Sequence, residues 1–374
     1  VPQFFITRDR SGLNRLFPVY KLFKEVRRCL LSDALQRAHF DGESASFVNT
    51  DFGEGNVNFK DVDFGKANVK FQYSNFGEGI KSFDKCQFKG QLVNFRRVEF
   101  GSGRVDFRRV HFGDGEIIFE KAYGYANREW DIENTVDTRF RIGSVTKQFT
   151  GMAILRLHEE GALDVDDLIC DYLDDCPDHW QQITIYQLLT HTSGIPNYTS
   201  FPDFLDVMVQ NSESDDFVAY FHDEPLDFEP GSYWNYSNSG YHLLGLIIEE
   251  ASGLSYHVFL RRTFFNPLGM ENTGYEFNDS VIENRAYGYN SLVTRSEYIN
   301  MNIPYAAGSL YSTNHDLLIW NQALHNGEVV SQDAWDEMWE REIETGNVLY
   351  YSYGLFRIPL ANGDMVIGHN GGIP

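Results

Sequence analysis

Phenylalanine recurs with a fixed period through the first third of the chain. Phe40, Phe52, Phe64, Phe76, Phe88, Phe100 and Phe112 stand twelve residues apart, and Phe47, Phe59, Phe71, Phe83, Phe95, Phe107 and Phe119 form a second series of the same period. Val57, Val69, Val93, Val105 and Ile117 hold a third slot, and Val62, Cys86, Val98 and Val110 a fourth. In each unit two alternating triplets, such as Val57-Asn58-Phe59 and Val62-Asp63-Phe64, are separated by a polar pair and by a Gly-rich corner like Gly53-Glu54-Gly55. Alternation sends every second side chain to one face of a strand, so Val and Phe point inward and the polar residues outward. Short units at a fixed period predict stacked coils: a β-solenoid over residues 39–115 with a Phe ladder as its core. An antiparallel meander of hairpins is the alternative. Cys86 fills an inward slot and reads as core. The outward charges, Arg96, Arg97, Arg108 and Arg109 against Asp61, Glu78 and Asp84, read as a solvated face, so spacer or scaffold is the predicted role and no partner is identified.

Helical spacing replaces the twelve-residue period on both sides. Leu22, Phe23, Val26, Leu30, Leu31 and Leu35 predict an amphipathic helix over 18–37, within a basic segment 1–38 read as a cap on the repeat; a membrane-surface or partner helix is the other reading. The stretch after the repeat opens on a strand and turn, 116–127, and carries a buried helix over 148–161 with Phe149, Met152, Ala153, Leu155 and Leu157 apolar. A second helix is predicted over 241–252, closed by Gly253, and a third over 316–325.

Composition narrows the function classes. The chain has 374 residues, a formal charge of -23 and pI near 4.8, which argues against nucleic acid because phosphate binding needs a basic face. No apolar run approaches the roughly 18 residues of a membrane span. Cys29, Cys86, Cys170 and Cys176 are too few for a disulfide framework. Cys170 and Cys176 flank an acidic stretch without a His at metal-ligand spacing, which leaves a local disulfide or two free thiols. Gly-x-Gly-x-x-Gly, P-loop and His-Glu-x-x-His patterns are absent, so no cofactor and no metal are implied.

Candidate chemistry begins at Ser144-Val145-Thr146-Lys147. A Ser-x-x-Lys opening a helix puts a hydroxyl and an amine one turn apart on one face, about 5–6 Å between Cβ atoms, with the serine at the positive end of the helix dipole. Ser82-Phe83-Asp84-Lys85 fits the same spacing but lies inside the repeat, where no helix is predicted.

With Gly124-Tyr125-Ala126-Asn127 and Phe140-Arg141-Ile142-Gly143 before it, the Ser144 motif resembles the serine β-lactamase and penicillin-binding-protein superfamily, in its class C β-lactamase, D-alanyl-D-alanine carboxypeptidase and esterase branch. Further stretches carry the resemblance: 188–196 with His191, which reads as fixing a turn; Phe228-Glu229-Pro230-Gly231 leading to Tyr236-Ser237-Asn238, similar to the family's Tyr-x-Asn; Gly368-His369-Asn370-Gly371-Gly372, similar to its third motif; and 304–313. Three motifs in order over about 230 residues are more specific than any one of them.

The resemblance implies that residues 116–374 form one domain of α+β class, a β-lactamase-like antiparallel sheet with a helical region. It implies a serine acyl hydrolase in which Ser144 is the nucleophile and Lys147 and Tyr236 are both candidates for the base, either needing its proton affinity lowered from about 10. Asn238, His369 and Gly371 become substrate-binding residues, and the backbone N–H groups of Ser144 and Gly372 the oxyanion hole. A small ester, peptide or β-lactam is the implied substrate, with His369 in place of Lys favouring an esterase or D-amino-acid peptidase. A periplasmic or secreted location rests on the resemblance alone. The chain begins without Met and stops at Pro374, before the strands and helix that close the family's sheet, so a fragment of a longer product is expected. The reading from another class is a non-catalytic scaffold with a degenerate hydrolase domain.

Overall fold

Strands of the Phe-rich repeat pair in parallel with a register of 24 residues, twice the period of the sequence. In the computed structural model, Ser44–Ser46, Asn68–Lys70, Leu92–Asn94 and Glu116–Ile118 form one ladder; Val57–Asn58, Lys81–Ser82 and Val105–Asp106 form a second. The structure describes residues 44–90, 92–101, 104–106, 122–346, 349–360 and 365–373, with the backbone alone of Thr7–Arg8, Asn14–Leu16, Ala38–Phe40, His111–Phe112 and Glu116–Ile118. Two compact units result, Val1–Tyr123 and Gly124–Pro374.

In the first unit, rings 24 residues apart stack at about the spacing of neighbouring strands. Phe47–Phe71 and Phe71–Phe95 centroids are 4.8 and 4.7 Å apart, and Phe64–Phe88 4.7 Å. Rings 12 residues apart meet edge-on, as Phe59 and Phe71 do at 5.5 Å. Parallel pairing follows from this repeat of ring on ring, and it overturns the antiparallel meander among the described repeat strands. Asn49, Asp61, Tyr73, Lys85 and Arg97, again twelve apart, take positive φ where the chain turns. Asp84 corrects the solvated-face reading: it is buried, with Lys60 Nζ 3.9 Å away, because ion pairs here reach across 24 residues from one rung to the next. Cys86 is buried, its thiol pushed up to about 12 by burial. The helix expected over 18–37 lies outside the described residues.

The second unit is α+β. Helix α1, Thr146–Glu159, begins two residues before its apolar pattern and is buried through most of its length. Phe149 packs on Trp320 at 4.2 Å, and Trp320 Nε1 donates to Gln148 Oε1. Helix α2, Asn238–Ser252, also starts earlier than its pattern because Ser237 caps it, accepting from the Gly240 N–H; Gly253 closes it at φ 65°. Helix α3, Asn314–His325, is capped by Thr313, which accepts from the Asp316 N–H. In both helices the capping side chain, not the first apolar residue, sets the start.

A four-stranded antiparallel sheet follows: β1 Ile343–Glu344, β2 Tyr350–Ser352, β3 Leu355–Pro359 and β4 Met365–Gly368. Its β2–β3 turn lies on α1. A β-carbon on Gly151 of that helix would meet the Tyr353 carbonyl oxygen at 2.0 Å, so only glycine admits the contact. Strand β4 ends at Gly368, the first residue of the third motif, and His369–Gly372 continue past it as a loop. Cys170 and Cys176 form a disulfide, which settles the alternatives left open above.

Candidate active site

Ser144 stands in a single 3-10 turn, Gly143–Val145, that runs directly into α1. Gly143 makes that turn possible. It adopts φ 50°, and a β-carbon there would lie 2.9 Å from the Gly372 backbone nitrogen. A side chain would be strained by the backbone and crowded by the third motif.

Lys147 sits one turn on and is fully buried. Its Nζ donates to Asn238 Oδ1 at 2.7 Å and to the Ala307 carbonyl oxygen at 2.8 Å, and lies 3.3 Å from Ser144 Oγ. The Tyr236 ring centre is 4.9 Å from the same nitrogen. Burial disfavours its charge and holds the amine well below the ordinary ammonium range.

Asn238, the first residue of α2, is oriented by Asn197. Both the Asn238 backbone N–H and its Nδ2 donate to Asn197 Oδ1 at 3.1 Å, which turns the amide oxygen towards Lys147. Ala307 belongs to the short helix Tyr305–Gly308, tied to α1 again where Thr150 Oγ1 donates to the Ala306 carbonyl at 2.7 Å. Sequence reading missed Asn197 and the Ala307 carbonyl. Contacts spanning 41 and 160 residues leave no local pattern to find.

Tyr236 is half-buried beside Lys147. Burial raises its phenol above the usual range, and a hydrogen bond to Ser144 pulls the other way. His369 lies among Tyr236, Tyr351 and Phe356, tilted or edge-on to each, with centroids 6.0, 5.9 and 5.1 Å from its own. Its Nδ1 donates to the Asn370 carbonyl at 2.5 Å, and burial pushes the imidazole down to about 4. Gly371 is pressed on the Ser144 turn: a β-carbon there would lie 2.0 Å from the Ile142 carbonyl oxygen.

Ser144, Lys147, Tyr236, Asn238 and His369 thus meet at one place, with Gly371 and Gly372 against the same turn. Within the first unit, Ser82 lies on a strand rather than at a helix start, and Lys85 is exposed, 3.9 Å from Asp61. A cavity of about 580 Å³ lined by Glu213, Asp215, Glu249, Tyr275, Phe277 and Tyr305 contains none of the seven.

A model of the family described as beta-lactamase matches residues 110–373. The chain belongs to the beta-lactamase family. Among relatives, Penicillin-binding protein 4* of Bacillus subtilis (strain 168) is 29% identical over 273 residues, 68% of this chain and 60% of that protein. The crystal structure of a penicillin binding protein from Bacillus halodurans, 32% identical, superimposes with a TM-score of 0.61 over 69% of this chain and 81% of that one. The D-amino acid amidase from Ochrobactrum anthropi SV3, solved with D-phenylalanine, is 29% identical with a TM-score of 0.59, covering 67% of this chain and 75% of its own. This beta-lactamase-family chain spans 60% of the length of that Bacillus subtilis relative and 59% of another from the same strain, the Putative penicillin-binding protein PbpX. Its second unit has the α+β beta-lactamase-like fold of the solved neighbours.

Proposed function

We propose that this chain is a serine acyl hydrolase working through an acyl-Ser144 intermediate on esters or on amides and peptides of D-amino acids, in preference to β-lactams. The observation that carries the reading is the buried Lys147 amine 3.3 Å from Ser144 Oγ. A neutral amine has two hydrogens and one lone pair. Here two carbonyl-type oxygens take the hydrogens, which leaves the lone pair for the Ser144 proton.

In the first half-reaction Ser144 Oγ bonds to the acyl carbon while its proton passes to Lys147 Nζ. The oxyanion is held by the N–H groups of Ser144 and Gly372, a type of donor that matters by roughly 10²–10³ in rate. Tyr236, kept as a phenol, donates to the departing amine or alkoxide and is reprotonated from Lys147. Water then attacks the acyl-enzyme by the same route reversed, and the acid and Ser144 are released. Asn238 orients Lys147. His369 and Gly371 flank the leaving group, and the neutrality of His369 favours an uncharged ester or amide there over a carboxylate. The kinship with a D-amino acid amidase points the same way.

The repeat is read as a β-solenoid spanning 39–115 that serves as scaffold, supported by the parallel 24-residue registers and stacked rings. Hydrolysis of p-nitrophenyl acetate, D-alanine p-nitroanilide and benzylpenicillin tests the proposal. Turnover of the first two should fall at least ~10³-fold in Ser144→Ala and by ~10²–10⁴ in Tyr236→Phe. Turnover that persists in Ser144→Ala contradicts it.

A further inference from the structure

His191 is not among the groups that meet at Ser144, yet it grips the segment that carries Tyr236. It is buried, and its φ of 59° lies in the left-handed region. Its carbonyl oxygen accepts from the Asn235 N–H at 3.0 Å, and its Nδ1 accepts from the Ser237 N–H at 3.2 Å. The Trp234–Asn235 and Tyr236–Ser237 peptides, one before the segment and one directly after Tyr236, are therefore held by one residue. The imidazole also backs the phenol ring, with centroids 4.4 Å apart, and is itself enclosed by Tyr241 at 5.0 Å and Tyr351 at 4.7 Å.

The residue type matters to both contacts. Because a backbone N–H donates to Nδ1, the neutral ring carries its proton on Nε2. A protonated ring would set N–H against N–H and lose the Ser237 bond. Burial favours the neutral ring that the contact needs.

We infer that His191 is a positioning residue: by holding the backbone at Asn235 and Ser237 and backing the ring, it fixes where the Tyr236 hydroxyl meets Ser144. It touches neither substrate nor Ser144. The inference rests on the Tyr236 role proposed above.

Two substitutions separate the acceptor from the ring. His191→Asn keeps an acceptor at the position of Nδ1 and tolerates left-handed backbone, but loses the ring. His191→Phe keeps the ring and loses the acceptor. Acylation by p-nitrophenyl acetate is followed by stopped flow, and exchange of the Ser237 amide by NMR. His191→Phe should slow acylation about tenfold or more with KM little changed, and speed exchange at Ser237, whereas His191→Asn keeps Ser237 protected and recovers most of the rate. In a Tyr236→Phe background His191→Phe should cost less than about twofold further, since both act through one group. An equal factor in both backgrounds marks a residue that merely supports the fold, and overturns the inference. If the parent acylates no probe, the reaction proposed above fails, while the amide still judges the clamp: equal Ser237 exchange in parent and His191→Phe overturns it.

Discussion

In the proposed mechanism the buried Lys147 amine gives its two hydrogens to Asn238 and Ala307 and takes its proton from Ser144. Only the neutral amine serves as base, so kcat/KM should rise with pH through the lowered value of Lys147 and then level off. His369 is already neutral above about 4. His369→Gln should therefore leave the shape of the profile between about pH 5 and 9 unchanged, whatever it does to the rate. Lys147→Arg puts a permanently charged guanidinium where the neutral amine acts, cannot take up the Ser144 proton, and should lose at least ~10³-fold in kcat with the protein still folded. At this scale Ser144, Lys147, Tyr236 and Asn238 were legible because order and spacing of short motifs survive in the sequence. Asn197, Ala307 and the grip of His191 were not, because each acts through hydrogen bonds to residues far along the chain.

Elements answer to caps and stacking more than to the first apolar residue. The apolar pattern located α1, α2 and α3 but placed each start two or three residues late, where Ser237 and Thr313 bond the free N–H groups of α2 and α3. Thr313→Ala should cost about 1 kcal/mol in urea melts. Within α2, His242 is buried with its ring nitrogens 3.1 Å from the Ile303 carbonyl and 2.7 Å from that of Ser214, and burial lowers it to about 4. The folded state then binds a proton later than the unfolded one. Its stabilisation is complete above about pH 6.5 and is lost as pH falls towards 4, about 3 kcal/mol in all. The Tm of His242→Gln should fall less steeply than that of the parent over that window. In the repeat, the period was legible but not the register, because a twelve-residue spacing fits one unit per turn or two. Ring contacts at strand spacing go with two. Phe59→Ala, in a ring contact at 5.1 Å with Phe83, should cost about 3–5 kcal/mol.

At the scale of the whole molecule, two hydrophobic clusters are distinct among the described residues: one mainly of Phe and Val between Ala45 and Phe100, the other from Ile142 to Leu355. Each has its own cooperative core, so calorimetry should resolve two transitions, with Phe59→Ala lowering one and Phe149→Ala the other. The end of the twelve-residue repeat made a change of pattern along the chain legible, and three motifs in order made the family legible. The place where strand β4 stops and the motif loop begins was not legible, because Gly368 to Gly372 reads equally as strand or turn. Central to the account is that Ser144 becomes acylated with the help of Lys147. The direct measurement is the intact mass of the purified chain after exposure to a short-chain p-nitrophenyl ester and, separately, to a penicillin, with Ser144→Ala and Lys147→Arg in parallel. The account predicts a single acyl adduct from the ester, weaker or no labelling by the penicillin, and no adduct in either variant. An adduct that remains in Ser144→Ala, or an unlabelled parent with both probes, would contradict it.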